Sequence, residues 1–561
     1  MMVTRAKGNM ARRVADAPPY GKLAFRHAPA RRRQRETGMR GSDTVWRALA
    51  VARRANLTAS GHAAPVPGET GQTRRAVLLA LGASGVAAAL PHRAFAAGTG
   101  SGPVAIIGGG IAGLTALWHL TQAGIDARLY EARGRLGGRV YTAREKGRPT
   151  IEAGGQLVNT DHADIKTLMR EFGIALIDRK GTPHRTMILA NGSEVPEGKL
   201  ASALRGIAGQ IDADSVRLDQ DYASVASELD RMSFTKYLDK HAALMPEPWV
   251  RHLMEATART EYGVEPGAAS AIELVFNLPT INGRRIDVLS RSDERYLIAG
   301  GSSTLIDAMA TRLRERIQTN RRVVRVDPFG PGARLVFADG TTVDAANVIV
   351  TTPASITRKI DFRIPLPPLW RRFIAEVGLG ANMKVQAGMT ARPWDKAIGR
   401  GGEVWQTKPG AGLASGWDGS VRGGAASGDV WTWFLGGMEL LAADVAEPGV
   451  LARKFAAQAE SAIPGMAAAT SAFARRTNWH RDPLAMGAYV NFRPGQLTRF
   501  GRLIWTEVDG IAKAPVGAGP VLFAGEHLSD AYPGYMNGGA QTGRLAASTI
   551  IASRAHARRL S

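Results

Sequence analysis

The spacing of hydrophobic and polar positions changes at a glycine-rich turn near residue 108. Val104–Ile107 is an unbroken apolar run, typical of a short parallel strand buried on both faces. Apolar residues then recur every three to four positions over residues 111–123, which predicts a helix packed on that strand. A second short stretch, Ala127–Tyr130, in which three of the four residues are apolar or aromatic, predicts the next strand. The pattern therefore predicts a strand–turn–helix–strand unit.

The turn has the composition of a dinucleotide-binding site. Gly108, Gly110 and Gly113 follow GxGxxG spacing. Gly108 would make the tight turn, Gly110 would let the backbone approach a pyrophosphate, and Gly113 would let the helix pack against the strand. The helix start at Ala112 would present N–H groups to the phosphates. Glu131, which ends the second strand, would accept hydrogen bonds from the ribose hydroxyls.

Further along the chain, helical and strand-forming stretches alternate in large blocks. Apolar residues spaced for helices occupy residues 165–172, 200–210, 225–237 and 248–262. The pattern predicts an α/β fold with a Rossmann-like domain, and the family resemblance given below implies that this cofactor-binding domain is interleaved with an α+β substrate-binding domain. The cofactor-binding domain is expected at residues 102–159, 295–355 and 515–555, and the substrate-binding domain at 160–294 and 356–514.

The chain's net charge of +23 is unevenly distributed. Residues 1–96 hold 17 Lys and Arg against 4 Asp and Glu, so more than half of the excess lies in this segment. The remainder has no basic and aromatic stripe, which argues against nucleic-acid binding. The absence of cysteine excludes disulfides, thiolate metal sites and a cysteinyl link to a flavin.

The first 96 residues are expected to lie outside the enzyme proper. Residues 1–70 are predicted to be a disordered basic extension. Residues 71–96 contain Arg74-Arg75, fifteen weakly apolar residues at 76–90 and a small-residue cleavage site at Ala96. These features predict a twin-arginine export signal and a periplasmic mature enzyme. Fifteen residues are too few to span a bilayer, so no stable membrane insertion is expected.

Two separated motifs resemble those of the flavin-containing amine oxidases. After Glu131, the run with Arg133, Gly138 and Arg139 is followed by Gly155-Gln156. Near the C-terminus stand Gly525-Glu526 and Tyr535-Met536, before a predicted helix. The resemblance implies FAD bound by both motifs, with the backbone at Val323 facing the adenine.

The same resemblance assigns roles to residues in the substrate-binding domain. It implies that Lys384 holds a water at flavin N5, and that Tyr489 and Tyr535 form an aromatic cage around the amine. Trp479 falls in a stretch similar to the family's cofactor-contacting segment. Ala488 stands where monoamine oxidases carry their flavin-linking cysteine, which implies non-covalent FAD.

These features predict an FAD-dependent amine oxidase. It would oxidise a primary or secondary amine to an imine, hydrolysed to an aldehyde or ketone, and reduce O2 to H2O2. The expected partners are a small amine and O2, with a homodimer possible. No metal site is expected, because the chain contains no HExxH, GxSxG or CxxC motif.

Two other functions stay open. An L-amino-acid oxidase of the same fold would need an arginine to grip the substrate carboxylate, and Arg291 or Arg493 could provide it. An FAD-bound electron-relay protein would not need Lys384 or the tyrosine pair. Near the first motif, Asp161, His162 and Asp164 could line a substrate entrance, but the expected role of Asp161 is to cap a helix.

Overall fold

A six-stranded sheet forms the centre of the cofactor-binding half in a computed structural model of the chain. Its core strand, Val104–Ile107, pairs in parallel with Ala127–Tyr130 and Asn347–Val350, and all four of its side chains are buried. The sheet's strands, from edge to edge, are Ile317–Gln318, Ala127–Tyr130, Val104–Ile107, Asn347–Val350, Val521–Phe523 and Gly517–Ala518. The structure describes residues 44–61, 102–180, 184–276, 280–282, 285–287, 293–408, 410–508, 511–512 and 516–560.

Two helices pack together beside this sheet. Ile111–Gln122 follows the glycine turn, and Met536–Leu560 runs against it. The contact is so close that a Cβ built on Gly543 would lie 2.2 Å from the carbonyl oxygen of Ala112. Only glycine fits at such a distance, which explains the small residues in the C-terminal motif.

A seven-stranded sheet lies in the predicted substrate-binding domain. Its strand Asn382–Met389 is buried along its whole length, between Asp429–Gly436 and Thr470–Arg476. The strand order is Thr470–Arg476, Asn382–Met389, Asp429–Gly436, Ser415–Asp418, Glu403–Gln406, Thr186–Ala190 and Ser193–Glu194. Two smaller sheets are Thr342–Ala345, Gly332–Phe337, Val323–Phe329 and Asp361–Phe362, and Leu157–Val158, Tyr296–Ile298 and Leu176–Asp178. The predicted fold class is confirmed.

Helices dominate residues 163–276, and they differ in part from the predicted ones. The prediction of a single helix over residues 225–237 is wrong, because one helix ends at Arg231 and a second begins at Phe234. The Ser233 hydroxyl accepts a 3.2 Å hydrogen bond from the N–H of Lys236. A serine at this position starts a new helix by satisfying an orphan donor. The helices are Ala163–Glu171, Glu197–Ala203, Arg205–Gln220, Tyr222–Arg231, Phe234–Lys240, Pro248–Tyr262 and Ala271–Phe276. The remaining helices of eight residues or more are Ser303–Leu313, Pro368–Glu376 and Pro448–Ala459.

An N-terminal helix corrects the expectation of disorder over residues 1–70. Thr44–Ala59 packs against Arg205–Gln220, with Leu49 and Ala52 fully buried. Asn56 donates a 2.9 Å hydrogen bond to the backbone carbonyl of Arg205, and Arg53 forms an ion pair with Asp212. The expectation is therefore wrong for residues 44–61.

The rest of the predicted N-terminal extension and the predicted export signal at residues 71–96 lie outside the described residues. Arg291 lies outside them as well. Within the described ranges, no helix is long and apolar enough to cross a bilayer. The same ranges contain no group of three or more His, Asp or Glu side chains arranged to hold a metal ion.

Candidate active site

The first glycine turn has the shape of a nucleotide cradle. A Cβ on Gly113 would lie 2.0 Å from the carbonyl oxygen of Gly108, so this glycine serves helix-to-strand packing and does not line the cavity. At Gly110 the nearest atom to such a Cβ would be the Gly137 oxygen at 4.0 Å, and Gly138 faces it from across the turn. The space beside Gly110 is therefore open to a ligand, at the N-terminus of the helix that begins at Ile111.

Glu131 lies at the edge of this cradle. One carboxylate oxygen accepts a 2.6 Å hydrogen bond from the N–H of Gly109, and the other accepts one of 2.7 Å from Arg133. Each carboxylate oxygen has a further lone pair, so ribose hydroxyls could still donate to it. The Arg133 guanidinium is committed to Asp482, at 2.5 and 3.0 Å.

The C-terminal motif meets the first one through a partly buried ion pair. Glu526 accepts a 2.8 Å hydrogen bond from Arg139 and one of 2.9 Å from the N–H of Gly534. Arg139 also donates to the carbonyl of Ala488. Three distant chain segments are thereby joined at one point.

The other predicted cofactor-binding residues lie on the same cavity wall. Trp479 donates a 2.8 Å hydrogen bond to the carbonyl of Ala153, which fixes its indole there. A Cβ on Gly155 would lie 2.9 Å from the Met536 side chain, so this turn and the C-terminal helix are in contact. The predicted cofactor-binding residues that line the cavity are Gly108, Gly110, Ala112, Glu131, Arg133, Gly138, Arg139, Gly155, Gln156, Val323, Trp479, Gly525, Glu526, Tyr535 and Met536.

One continuous cavity of about 730 Å³ contains this groove and extends to the substrate-side sheet. Lys384, Tyr489 and Tyr535 line it together with the cofactor-binding residues. A groove with an open glycine cradle, two helix N-termini and a ribose-facing carboxylate suits an adenine dinucleotide. The residues present therefore fit FAD.

Lys384 reaches across the junction between the two halves. Its ammonium donates to the carbonyls of Gly154 at 2.8 Å and Glu152 at 3.1 Å, and to the side-chain oxygen of Gln156 at 3.4 Å. Burial lowers the pKa of Lys384 to about 8, while the nearby carboxylates of Glu152 and Glu294 oppose that shift. These three hydrogen bonds use all three ammonium hydrogens. To bind a water as well, Lys384 would have to give up its longest hydrogen bond, which is the one to Gln156.

The two predicted cage tyrosines are anchored differently. The Tyr489 hydroxyl donates to the carbonyl of Thr260, in the last turn of helix Pro248–Tyr262. Burial raises the pKa of Tyr489 well above its ordinary value, so the phenol stays neutral. Tyr535 directly precedes the C-terminal helix, and its ring is in edge contact with His162.

A row of paired side chains across the substrate-side sheet was not predicted. Lys384 pairs with Phe434, Phe434 with Ser415, and Ser415 with Trp405, on four adjacent strands. All four residues line the cavity. Because side chains opposite each other in a sheet point to the same face, this row is one wall of the substrate region.

Carboxylates also line this region. Glu261, Glu294 and Glu403 all reach the cavity. Burial raises the pKa of Glu403 to about 7, although Lys180 and Arg179 oppose the shift. The Arg179 guanidinium lies 4.0 Å from both Glu294 and Glu403, and it donates a 3.1 Å hydrogen bond to the Glu294 carbonyl.

A dinucleotide groove that opens onto an aromatic and acidic substrate region defines a flavin-dependent oxidoreductase. Residues 111–551 match the family described as "Flavin containing amine oxidoreductase". The chain belongs to this family.

Individual relatives agree with that assignment. The chain is 24% identical over 478 residues to a flavin-containing amine oxidase of Danio rerio, covering 80% of this chain and 85% of the relative. It is 24% identical over 463 residues to the flavin-containing amine oxidase B of Sus scrofa, covering 80% and 86%. The predicted FAD cofactor and the predicted amine-oxidising activity of the enzyme are confirmed.

Solved structures share the fold at low sequence identity. Cyclohexylamine oxidase from Brevibacterium oxydans IH-35A superposes with a TM-score of 0.67 at 22% identity, covering 80% of this chain and 99% of that one. Putrescine oxidase bound to putrescine superposes with a TM-score of 0.66 at 20% identity, with the same coverage.

Proposed function

We propose that the enzyme oxidises a primary or secondary amine as the free base and passes the electrons to O2. The amine C–N bond becomes the C=N bond of an imine, with loss of two electrons and two protons. O2 takes up these two electrons and two protons to give H2O2. Water then hydrolyses the imine to an aldehyde or ketone, with release of ammonia or a smaller amine. Bound FAD supplies the site that accepts the hydride equivalent.

The observation that carries the proposal is the convergence of Lys384, Tyr489 and Tyr535 on one cavity with the cofactor groove. The two phenol rings are neutral, apolar surfaces with electron-rich faces, suited to orienting an amine nitrogen. Lys384 would place a positive charge where negative charge develops on O2. These residues would therefore orient the amine and stabilise developing charge.

The carboxylates suggest a substrate with a second cationic group, such as a diamine. Glu261 and Glu294 line the cavity on the substrate side, where an ammonium remote from the reacting nitrogen could pair with them. Putrescine oxidase, which shares the fold, is described with putrescine bound. We expect diamines to reduce the enzyme at lower concentrations than monoamines of equal length.

The arginines argue against an L-amino-acid substrate. Arg493 donates a 2.6 Å hydrogen bond to the carbonyl of Glu376 and is not part of the cavity wall. In the described part of the cavity wall, the arginines are those of the cofactor groove: Arg133, Arg139, Arg321 and Arg322. A substrate carboxylate would meet Glu294 and Glu403 in the substrate region instead.

Anaerobic bleaching of the flavin absorbance by monoamines, diamines and L-amino acids tests the proposal. Rapid bleaching by amines, followed on admission of air by recolouring and one H2O2 per turnover, is the expected result. Bleaching by L-amino acids alone would favour the amino-acid oxidase. If a quinone or a protein acceptor restores the flavin colour and no H2O2 forms, the electron acceptor is that compound and not O2. A flavin that no compound bleaches would favour an electron relay.

We also propose that the enzyme is exported to the periplasm through the Arg74-Arg75 signal. A folded, cofactor-loaded enzyme suits the twin-arginine route. The test is N-terminal sequencing of the protein from the periplasm, compared with an Arg74→Lys, Arg75→Lys variant. A chain starting near residue 97 in wild type, absent in the variant, is expected. Light scattering of the purified enzyme tests the proposed homodimer.

A further inference from the structure

A buried histidine lies behind Tyr535. His162 is fully buried, and its ring centre lies 5.1 Å from that of Tyr535, with the ring planes inclined at 68°. Its ring also meets Tyr532 edge-on, at 5.3 Å and 85°. His162 is therefore packed within the protein core. It stands at the start of helix Ala163–Glu171, where the expected cap by Asp161 is not formed.

Hydrogen bonding fixes which ring nitrogen of His162 carries the proton. Nδ1 accepts a 3.1 Å hydrogen bond from the backbone N–H of Asn159, so Nδ1 has no hydrogen. Burial lowers the pKa of His162 to about 3, so the ring is neutral at working pH. A neutral imidazole with a free Nδ1 lone pair must carry its hydrogen on Nε2.

The Nε2–H group is buried and has no nitrogen or oxygen acceptor among the described residues. An unpaired buried donor is costly, and the rings of Tyr535 and Tyr532, both steeply inclined to the imidazole, are electron-rich groups in contact with it. Edge-to-face contacts of this kind hold two rings at a preferred angle.

The backbone around both partners is tied together. Asn537, in the first turn of helix Met536–Leu560, accepts a 2.9 Å hydrogen bond from the N–H of Ile165. Arg544 of the same helix forms an ion pair with Asp164. These two contacts join the helix that follows His162 to the helix that follows Tyr535. They therefore fix the distance between the two residues whose rings are in contact.

We propose that His162 is a positioning residue that fixes the ring plane of Tyr535 from outside the cavity. The inference rests on the proposed role of Tyr535 in orienting the amine. His162 is not among the residues that line the cavity, whereas Tyr535, which its ring contacts, lines it. Loss of the histidine would let the tyrosine ring tilt, and the amine would bind in fewer productive orientations.

A double-mutant cycle on the FAD-loaded enzyme tests this inference. His162→Phe keeps an aromatic edge but loses Nδ1 and Nε2–H, and His162→Met removes the ring. We expect either change to slow anaerobic flavin reduction by about threefold to tenfold, with FAD content and recolouring by O2 unchanged. In a Tyr535→Leu background, the same His162 changes should not slow flavin reduction any further. In a Tyr532→Leu background, they should slow it as much as in the wild type.

The two proposals fail in different ways. A His162 effect that persists in Tyr535→Leu, or that disappears only in Tyr532→Leu, would overturn the positioning role alone. An unchanged reduction rate in Tyr535→Leu itself would overturn the cage as well. Equal losses in flavin reduction, recolouring and melting temperature would mark His162 as a packing residue. His162→Met provides the comparison if His162→Phe does not fold.

Discussion

The ammonium of Lys384 donates a 2.8 Å hydrogen bond to the carbonyl of Gly154. Lys384 belongs to the substrate-side sheet, and Gly154 to the glycine turn of the cofactor groove. This one contact places a cation at the boundary between the two binding regions. From this position, Lys384 could act on the reoxidation of the flavin by O2 without contacting the amine.

Replacing Lys384 should separate the two half-reactions. In Lys384→Met, a neutral side chain of similar length, we expect reoxidation of the flavin by O2 to slow by about tenfold or more, because a charge that stabilises the developing anion is lost. Anaerobic reduction by amine should change much less. Stopped-flow absorbance measures both rates. Equal slowing of both would contradict a specific role with O2, and Lys384→Arg is the charge-keeping control.

The pH dependence should follow from the lowered pKa of Lys384. The reoxidation rate is expected to fall as the pH rises through about 8, where the buried ammonium loses its proton, and to be flat in Lys384→Met. Stability should change in the opposite sense. From pH 8 to the ordinary pKa of 10.5, the unfolded chain binds more protons at this residue, so its contribution makes the free energy of unfolding rise with pH. Denaturant titrations of both proteins at pH 8 and pH 10 measure that difference.

Tyr489 should act mainly through its ring. Tyr489→Phe removes the hydrogen bond to Thr260 and keeps the aromatic face. We therefore expect the rate of flavin reduction by amine to stay within about threefold of the wild-type rate. Tyr489→Leu removes the face and should slow it by about tenfold or more. If the two variants are equally slow, the hydroxyl contact to helix Pro248–Tyr262 matters more than the ring.

Two glycines of the first motif should respond differently to the same methyl group. In Gly113→Ala the new Cβ would lie 2.0 Å from the Gly108 oxygen, so helix and strand must separate and little folded enzyme is expected. In Gly110→Ala the Cβ meets no protein atom closer than 4.0 Å, so the protein should fold but lose FAD. Circular dichroism and the flavin-to-protein absorbance ratio distinguish these outcomes. FAD retained by Gly110→Ala would place the pyrophosphate elsewhere.

The N-terminal helix, which cleavage near Ala96 would remove, should contribute to the stability of the uncleaved chain. Leu49→Asp places a charge in a fully buried position, and we expect a loss of roughly 3 kcal/mol or release of the helix. Thermal melting and limited proteolysis within residues 44–61 report the two possibilities. Thr58→Asp, on an exposed position of the same helix, is the matched control. Identical melting and proteolysis in both variants would contradict docking of this helix.

Most residues that local patterns assigned to the cofactor groove line one cavity, because they lie in short stretches of sequence. The turn from Gly108 to Gly113 contains its own steric requirements, and Glu131 follows at the end of the next strand. Tyr535 and Met536 could be assigned from a second short motif. In each case, the residues that define the function are close together in sequence.

Long-range pairing and weak amphipathic segments could not be predicted in this way. The pairing of Lys384 with Phe434 joins strands fifty residues apart, and both faces of Asn382–Met389 are buried, so no alternation indicates which side chains face the cavity. His162 meets Tyr535 only through tertiary packing. Leu49 and Ala52 form a narrow apolar face within a basic segment, which composition alone assigns to disorder.

The strand order of the six-stranded sheet sets a sequence of events during synthesis. Asn347–Val350 lies between Val104–Ile107 and Val521–Phe523, so the sheet under the cofactor groove is closed only when the last strand is made. Glu526 and Met536, which complete the groove, leave the ribosome later still. FAD can therefore meet the whole groove only after both glycine-rich motifs have been synthesised.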